Sequence, residues 1–288
     1  PIQLFYKRCI GKFRKYIYHF NMQKQEQLRL LKGLLGHLDA KTNVDAGGIM
    51  HTPAETYTCE ERFNLEWNSF FQDYPQIIGL SGDLSEPNSF FTIEDFGSPI
   101  IATRDADGKF KAFANVCTHR GAVVENEKRG IKSKFSCPFH GWTYNNKGAL
   151  VGYPKNEQFG KIDKDCYGLK ELPSIEKFGF LWVHPRAEGK IDLKELLGKD
   201  LEKEFAAWNF DRLILSNEEI YETDMNWKLA IDTFGETYHF SVLHKDSLFQ
   251  SFHGNCLMFD SFERNGRLIL CKRDIDEMRK LPESDWNI

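Results

Sequence analysis

Within 24 residues the chain places two cysteines and two histidines in two short segments, Cys117-Thr118-His119 and Cys137-Pro138-Phe139-His140, with seventeen residues between them. Gly121, Pro138 and Gly141 stand in or beside these segments and permit tight loops. Two thiolates and two imidazoles can hold a zinc ion, or a two-iron cluster in which two histidines replace two cysteines on one iron. Zinc sites of this composition usually pair like with like, the cysteines in one loop and the histidines on a helix. Here each loop carries one of each. That distribution suits a cluster in which one iron takes a cysteine from each loop and the other iron a histidine from each.

The flanking pattern indicates the scaffold. From residue 76 to about residue 184 the short apolar runs QIIGL, SFFTI, PIIAT, KAFAN and FLWVH alternate with Gly, Asp, Asn and Pro, which predicts a compact β domain. Upstream, Leu28, Leu31, Leu35 and Leu38 recur at helical spacing and predict a short amphipathic helix, followed by a linker over 39–58. Residues 60–72 predict a second helix with Phe63, Trp67 and Phe70 on one face, stopping before Pro75. Downstream, 226–244 is helical in pattern, and 256–262 with 267–272 predicts a hairpin turning at Asn265-Gly266.

The first 21 residues hold five basic residues, six aromatics and no acid. Ile10, Phe13, Ile17 and Phe20 lie at helical spacing opposite Lys7, Arg8, Lys12 and Lys15, the pattern of a basic helix on a membrane surface. The plainer reading makes Met22 the natural start. Elsewhere no apolar run approaches the roughly 18 residues of a membrane span, so no membrane is expected. A net charge of −4, from 38 Lys and Arg against 42 Asp and Glu, argues against a nucleic-acid partner. Seven scattered cysteines with no secretory signal fit a reducing cytoplasm better than a disulfide framework. Cys9, Cys59, Cys166, Cys256 and Cys271 show no pairing pattern and read as structural thiols.

The loop sequences CTHRGA and CPFHGWTYNNKG resemble those of Rieske iron-sulfur proteins, which implies a [2Fe-2S] cluster on Cys117, His119, Cys137 and His140. Rieske proteins of respiratory complexes carry an extra cysteine in each loop; here those places hold Gly121 or Ala122 and Phe139. Trp142 stands where they tend to have Ser, which removes a hydroxyl that could bond a cluster sulfur. The likeness is therefore to the low-potential centres of oxygenases. Packing explains Arg120, Trp142 and Tyr144 as well as any direct role.

A second constellation lies in NWKLAIDTFGETYHFSVLH, residues 226–244, which contains Glu236, His239 and His244. Glu236 and His239 share a helix face, whereas His239 and His244 would stand about 140° apart on a regular helix. A π-bulge or a helix end near Phe240 must bring them together. With the cluster loops, this segment resembles the large subunits of Rieske non-haem iron oxygenases, a likeness running from about residue 57 to about residue 273. It implies that His239 and His244 bind a mononuclear Fe(II) together with one carboxylate. It also implies that Glu236 bridges a Rieske histidine of the neighbouring subunit to an iron-binding histidine. Many members carry Asp there, and members acting on quaternary ammonium compounds often carry Glu. Asn226, Asp232 and Trp142 are candidate supporting groups around the ligands.

The carboxylate ligand lies well downstream in that family, whereas only 44 residues follow His244. Asp274, Asp276, Glu277, Glu283 and Asp285 have the spacing of a solvated helix face, so the expectation is a truncated chain without the third ligand. The expected fold is α+β: an extension and helix over 1–56, a leading helix over 57–75, an all-β Rieske domain over 76–186, and an incomplete helix-grip (START-like) catalytic domain over 187–288. The Rieske domain would be inserted into that catalytic domain.

The resemblance implies the terminal component of a multicomponent oxygenase, a homotrimer by family likeness. It would use O₂ to hydroxylate or demethylate a small aromatic or quaternary ammonium substrate. Electrons would come from NAD(P)H through a separate reductase or ferredoxin, since the chain has no G-x-G-x-x-G fingerprint. The alternatives are a Rieske-type electron carrier and an inactive oxygenase fragment. Phe234, Phe240, Leu243, Met258 and Phe259 could line a pocket, although such residues are more often core.

Overall fold

The computed structural model describes residues 2–8 and 22–286. The five apolar runs of the β region are the strands Gln76–Leu80, Ser89–Ile93, Ile100–Arg104, Phe110–Ala114 and Phe180–Val183. Glu171–Leu172, Phe110–Ala114, Ile100–Arg104, Ser89–Ile93 and Arg129–Ile131 lie side by side in that order as one antiparallel sheet. Successive side chains of a strand point to opposite faces, so doublets such as Phe90-Phe91 and Ala112-Phe113 imply a sheet covered on both sides. Phe90, Ile101 and Phe113 face one apolar cluster, whereas Phe91, Ile100, Ala102 and Ala112 face another.

Two three-stranded antiparallel sheets cover these faces. Lys134–Ser136, Thr143–Asn145 and Leu150–Gly152 pack on the first through Phe135, Tyr144 and Leu150. Ser174–Lys177, Phe180–Val183 and Gln76–Leu80 pack on the second through Ile78, Leu181 and Val183. Trp182 points the other way, against Leu193, Leu197 and Leu201 of the helix Leu193–Ala207.

The helix Lys24–Ala40 forms where the leucine spacing predicts it and ends at Lys41, whose left-handed backbone lets its N–H close on His37 and Leu38. Its Leu34 and Leu35 pack on Cys256, Cys271 and Ile275, so segments from either side of the β domain meet in one cluster. Within the expected linker a short helix, Glu55–Thr58, forms. The second helix is α only over Glu60–Glu66 and continues as a π turn, Trp67–Gln72. The wider turn brings two successive rings, Phe70 and Phe71, to Trp227 at 6.0 and 5.4 Å. Phe70 itself is half exposed, so the face expected from Phe63, Trp67 and Phe70 is shared with Phe71.

The hairpin consists of Phe252–Phe262 and Asn265–Lys272, and its turn is Glu263-Arg264 rather than Asn265-Gly266. Glu263 takes the left-handed conformation, and Asn265 donates from its side chain to Leu196 O at 2.7 Å. Gly266 serves packing: a Cβ there would stand 2.8 Å from the Phe259 ring. The helical face expected at Ile10, Phe13, Ile17 and Phe20 lies outside the described residues; Ile2–Arg8 is a strand paired with Asn217–Thr223. Among the described residues no helix is long and apolar enough to cross a membrane.

A charged network fastens the first helix to the hairpin. Arg29 bridges Glu26 and Asp260 at 2.8 and 2.7 Å, and Arg267 bonds Glu26 and Asp260. Hydrogen bonding to Arg29, and then to Arg267, outweighs burial and lowers the Glu26 carboxyl to about 2. Its folded value lies below the roughly 4.3 of an unfolded Glu, so this stabilisation is present above that pH and is lost as pH falls toward 2. Glu26→Gln should cost about 1 kcal/mol at pH 7. Thermal melts of the two proteins should converge as pH is lowered from 5 to 2; a difference independent of pH would contradict the assignment.

Candidate metal centres

The first centre is built from two loops with the same backbone design. Cys117 N donates to Ala122 O and Gly121 N to Cys117 O, both at 2.8 Å; Cys137 N donates to Trp142 O at 2.8 Å and Gly141 N to Cys137 O at 2.9 Å. Gly121 and Gly141, each four residues after its cysteine, have φ of +76° and +71°, where a side chain would be strained. The equivalence of the loops is hidden in the sequence, because the histidine is two residues after one cysteine and three after the other.

Cys117 and Cys137 are buried, each 3% exposed, and the His119 and His140 rings stand 4.6 Å apart. His119 Nδ1 is buried without any hydrogen-bond partner. A buried polar atom left unpaired is unfavourable, and two thiols with two imidazoles on paired loops are a donor set that accepts a metal. Burial, followed by the charges of His140 and Arg120, lowers the His119 pKa and favours the neutral, ligating form. The residues present therefore fit a two-iron cluster.

Trp142 and Tyr144 do more than fill space. Trp142 lies parallel to His119, at 4.9 Å and 4°, and meets Tyr153, Phe159 and Tyr167 on its other sides. The fully buried Tyr144 hydroxyl lies 3.2 Å from Cys117 Sγ and 3.0 Å from Thr118 Oγ1, and accepts from Thr118 N at 3.2 Å. Thr118 Oγ1 donates to Tyr167 O, so the phenol proton is shared between the sulfur and Thr118 Oγ1. Burial pushes the Tyr144 phenol up to about 12, which keeps it a donor.

The second centre follows from a helix that stops early. The segment expected to be helical through His244 is helical only over Trp227–Phe234, and the Gly235 amide closes it on Ile231 O at 2.8 Å. A 3₁₀ turn, Tyr238–Ser241, follows. This break at Gly235, five residues before Phe240, brings the His239 and His244 rings to 5.2 Å, which a regular helix could not do. Glu236 organises the turn: one carboxylate oxygen accepts from the Tyr238 and His239 amides and the other bonds His239 Nδ1. Burial opposes ionisation of Glu236, but hydrogen bonds from the His239 ring and from the His239 and Tyr238 amides lower its pKa. With Nδ1 so engaged, His239 keeps Nε2 for a metal.

Asn226 is the helix cap, accepting from Lys228 N at 3.1 Å and donating to Tyr57 O at 3.1 Å. Asp232 accepts from the Tyr57 hydroxyl at 2.7 Å, and Glu66 accepts from both Trp227 Nε1 and Lys228 Nζ. Neither Asn226 nor Asp232 touches a histidine of the site; both brace the helix that leads into it. Tyr57 and Glu66 carry no signal in the sequence, since only folding brings them to a helix more than 160 residues away.

Asp276 bonds His253 at 3.1 Å, Glu277 pairs with Lys280, Glu283 with Lys32, and Asp285 with Ser284; none of these acids bonds His239 or His244. Phe240 and Met258 are core, whereas Phe234 and Leu243 are exposed and Phe259 half exposed. Two grooves, of about 500 and 850 Å³, share Tyr74, Pro75, Leu196 and Arg264 and are lined by neither His239 nor His244; a third, of about 500 Å³, lies beside the first centre and is lined by Val124, Lys132, Ser136 and Pro138. Among the described residues, no hydrogen bond or ring contact joins His119 or His140 to Glu236, His239 or His244.

Residues 75–175 match the Rieske [2Fe-2S] domain family and residues 205–285 the catalytic domain of the ring hydroxylating alpha subunit. The protein is thus a Rieske iron-sulfur protein with alpha-subunit sequence after its cluster domain. It is 30% identical over 221 residues to the toluate 1,2-dioxygenase alpha subunit of Pseudomonas putida, covering 73% of this chain and 48% of that one. It is likewise 30% identical over 219 residues to the chloroplastic choline monooxygenase of Spinacia oleracea, covering 74% and 48%. A quaternary ammonium Rieske monooxygenase of known structure shares the fold, with a TM-score of 0.69 at 24% identity over 78% of this chain and 62% of that one. The chain belongs to the family of Rieske oxygenase large subunits and spans about half the length of the curated relatives it matches.

The Tyr144 bond to Cys117 can be tested directly. Hydrogen bonds to cluster sulfurs raise the reduction potential. Tyr144→Phe should lower the potential of the [2Fe-2S] centre by some tens of millivolts while leaving its absorption bands in place. Protein-film voltammetry reads the shift, and an unchanged potential would remove the tyrosine from the account.

Proposed function

We propose that the chain is the cluster-bearing part of an oxygenase terminal component. In this reading Cys117 and Cys137 hold one iron and His119 and His140 the other of a [2Fe-2S] cluster, and His239 and His244 hold a mononuclear ferrous iron. The observation that carries it is the presence of two histidine pairs in one chain, at 4.6 and 5.2 Å, the first beside buried thiols and the second oriented by Glu236. The cluster, when bound, supplies electrons singly, and the ferrous iron supplies open positions at which O₂ is activated.

The protein's own groups do the positioning. Tyr144 directs a hydroxyl at Cys117, Trp142 fixes the His119 ring plane, and Glu236 fixes the tautomer of His239. Because no hydrogen bond or ring contact among the described residues joins the two centres, the proposed electron path runs from His119 or His140 of one subunit to Glu236 of its neighbour in a trimeric ring. A cytoplasmic reductase or ferredoxin would feed it from NAD(P)H. The names of the relatives support a small aromatic acid or quaternary ammonium substrate, hydroxylated or demethylated. Asp274, Asp276, Glu277, Glu283 and Asp285 supply no third ligand in this reading, which places that carboxylate outside this sequence.

Metal analysis of the iron-loaded chain separates the readings. About three irons per chain means both centres, and about two means the cluster alone, as in an electron carrier. His239→Ala should lose one iron and keep the cluster spectrum; Cys137→Ser should lose the cluster. Glu236→Gln should keep the cluster spectrum and abolish cluster oxidation coupled to product formation, and full coupled turnover in that variant would sink its assigned role.

A further inference from the structure

The sequence gives Cys256 and Cys271 no pairing pattern, yet the fold makes them neighbours. Cys256 lies on the strand Phe252–Phe262 and Cys271 on Asn265–Lys272. Leu257 and Leu270 are paired, the ladder breaks between Phe252 and Leu257, and Cys256 and Cys271 are the residues next to that pair on the two strands. Opposed residues of an antiparallel pair have Cα atoms about 4.5–5.5 Å apart, within the roughly 4.4–6.8 Å that a disulfide spans. Both thiols are free, and both are buried in one cluster with Leu34, Leu35 and Ile275 beneath the helix Lys24–Ala40. Their contacts to backbone carbonyls are long, 3.9 Å from Cys256 Sγ to Leu34 O and from Cys271 Sγ to Lys272 O.

We propose that Cys256 and Cys271 form a dithiol site that a two-electron oxidant of the peroxide class converts to an intrachain disulfide across the hairpin. The hydrogen bond from the Cys271 thiol lowers the Cys256 pKa against the effect of burial, which makes Cys256 the attacking sulfur. Hydrogen bonding to Cys256 and burial raise Cys271. Attack of Cys256 on hydrogen peroxide breaks the O–O bond and leaves a sulfenic acid and one water. Attack of Cys271 on that sulfur forms the S–S bond and releases a second water. Two thiols and one peroxide thus become one disulfide and two waters, with two electrons passing from sulfur to oxygen.

Cys271 is fully buried and Cys256 nearly so, so access of the oxidant limits the reaction. The bridged strand also supports the second metal centre: Asn255 N donates to Thr237 O at 3.3 Å, and the Phe252 ring lies 6.2 Å from that of Phe240. The site itself requires no bound iron.

The test uses the full chain in native buffer, treated with hydrogen peroxide, quenched in acid, alkylated after unfolding and digested without reduction for peptide mass mapping. The expected result is the loss of both alkylatable thiols at Cys256 and Cys271 and a linked peptide pair lighter than its halves by two hydrogens. Recovery of both as alkylated thiols, or oxidation of either to sulfinic acid without the link, overturns the proposal. A Cys271→Val variant should instead accumulate a dimedone-trappable sulfenic acid at Cys256 that the wild type does not. Because the mapping is done on the wild-type chain, the conclusion survives if that variant fails to fold.

Discussion

The structure is organised around a buried imidazole nitrogen that the polypeptide does not satisfy by itself. Cys117 and Cys137 are withdrawn from water, and His119 Nδ1 has no partner. An unsatisfied buried donor or acceptor costs about 1–3 kcal/mol. Such a group persists where a bound species completes it, and in the proposed reading iron completes these two thiols and two imidazoles. The two apolar clusters on either face of the central sheet give these loops a rigid base, and the paired backbone bonds at Gly121 and Gly141 fix where the ligand atoms emerge.

That β domain hangs on a stem formed by sequences from both sides of it. Before it, Tyr57 and Glu66 reach Asp232, Trp227 and Lys228; the Lys24–Ala40 helix packs on the hairpin that lies after it. The contacts to Trp227, Lys228 and Asp232 brace the short helix that ends at Gly235, and from that end Glu236 turns the chain so that His239 and His244 face each other. The cluster domain is therefore an insertion in sequence, while the second centre depends on segments that only tertiary structure joins.

What could be read from the sequence follows this division. The cluster loops are legible because their chemistry lies in residue type and short spacing, and the central strands because apolar runs bounded by turn residues have few other solutions. The Asn226–His244 region was harder. Its hydrophobic period continues past Gly235, and the closure of the Gly235 amide on Ile231 O, with the Glu236 bonds to the following turn, shows where the helix stops. Asn265-Gly266 carries a local turn signal that packing overrides, because Gly266 is needed beneath Phe259. The nearness of Cys256 to Cys271, and of Glu66 to Lys228, depends on strand register and helix docking, which no local pattern records.

The central claim, that Cys117, His119, Cys137 and His140 hold a two-iron cluster, is tested most directly by electron paramagnetic resonance of the dithionite-reduced, iron-loaded chain. The expected result is a half-integer spin signal integrating to one spin per chain, with hyperfine coupling to two imidazole nitrogens that falls to one in His119→Ala. A diamagnetic protein carrying zinc, or a signal with cysteine coupling alone, would contradict it.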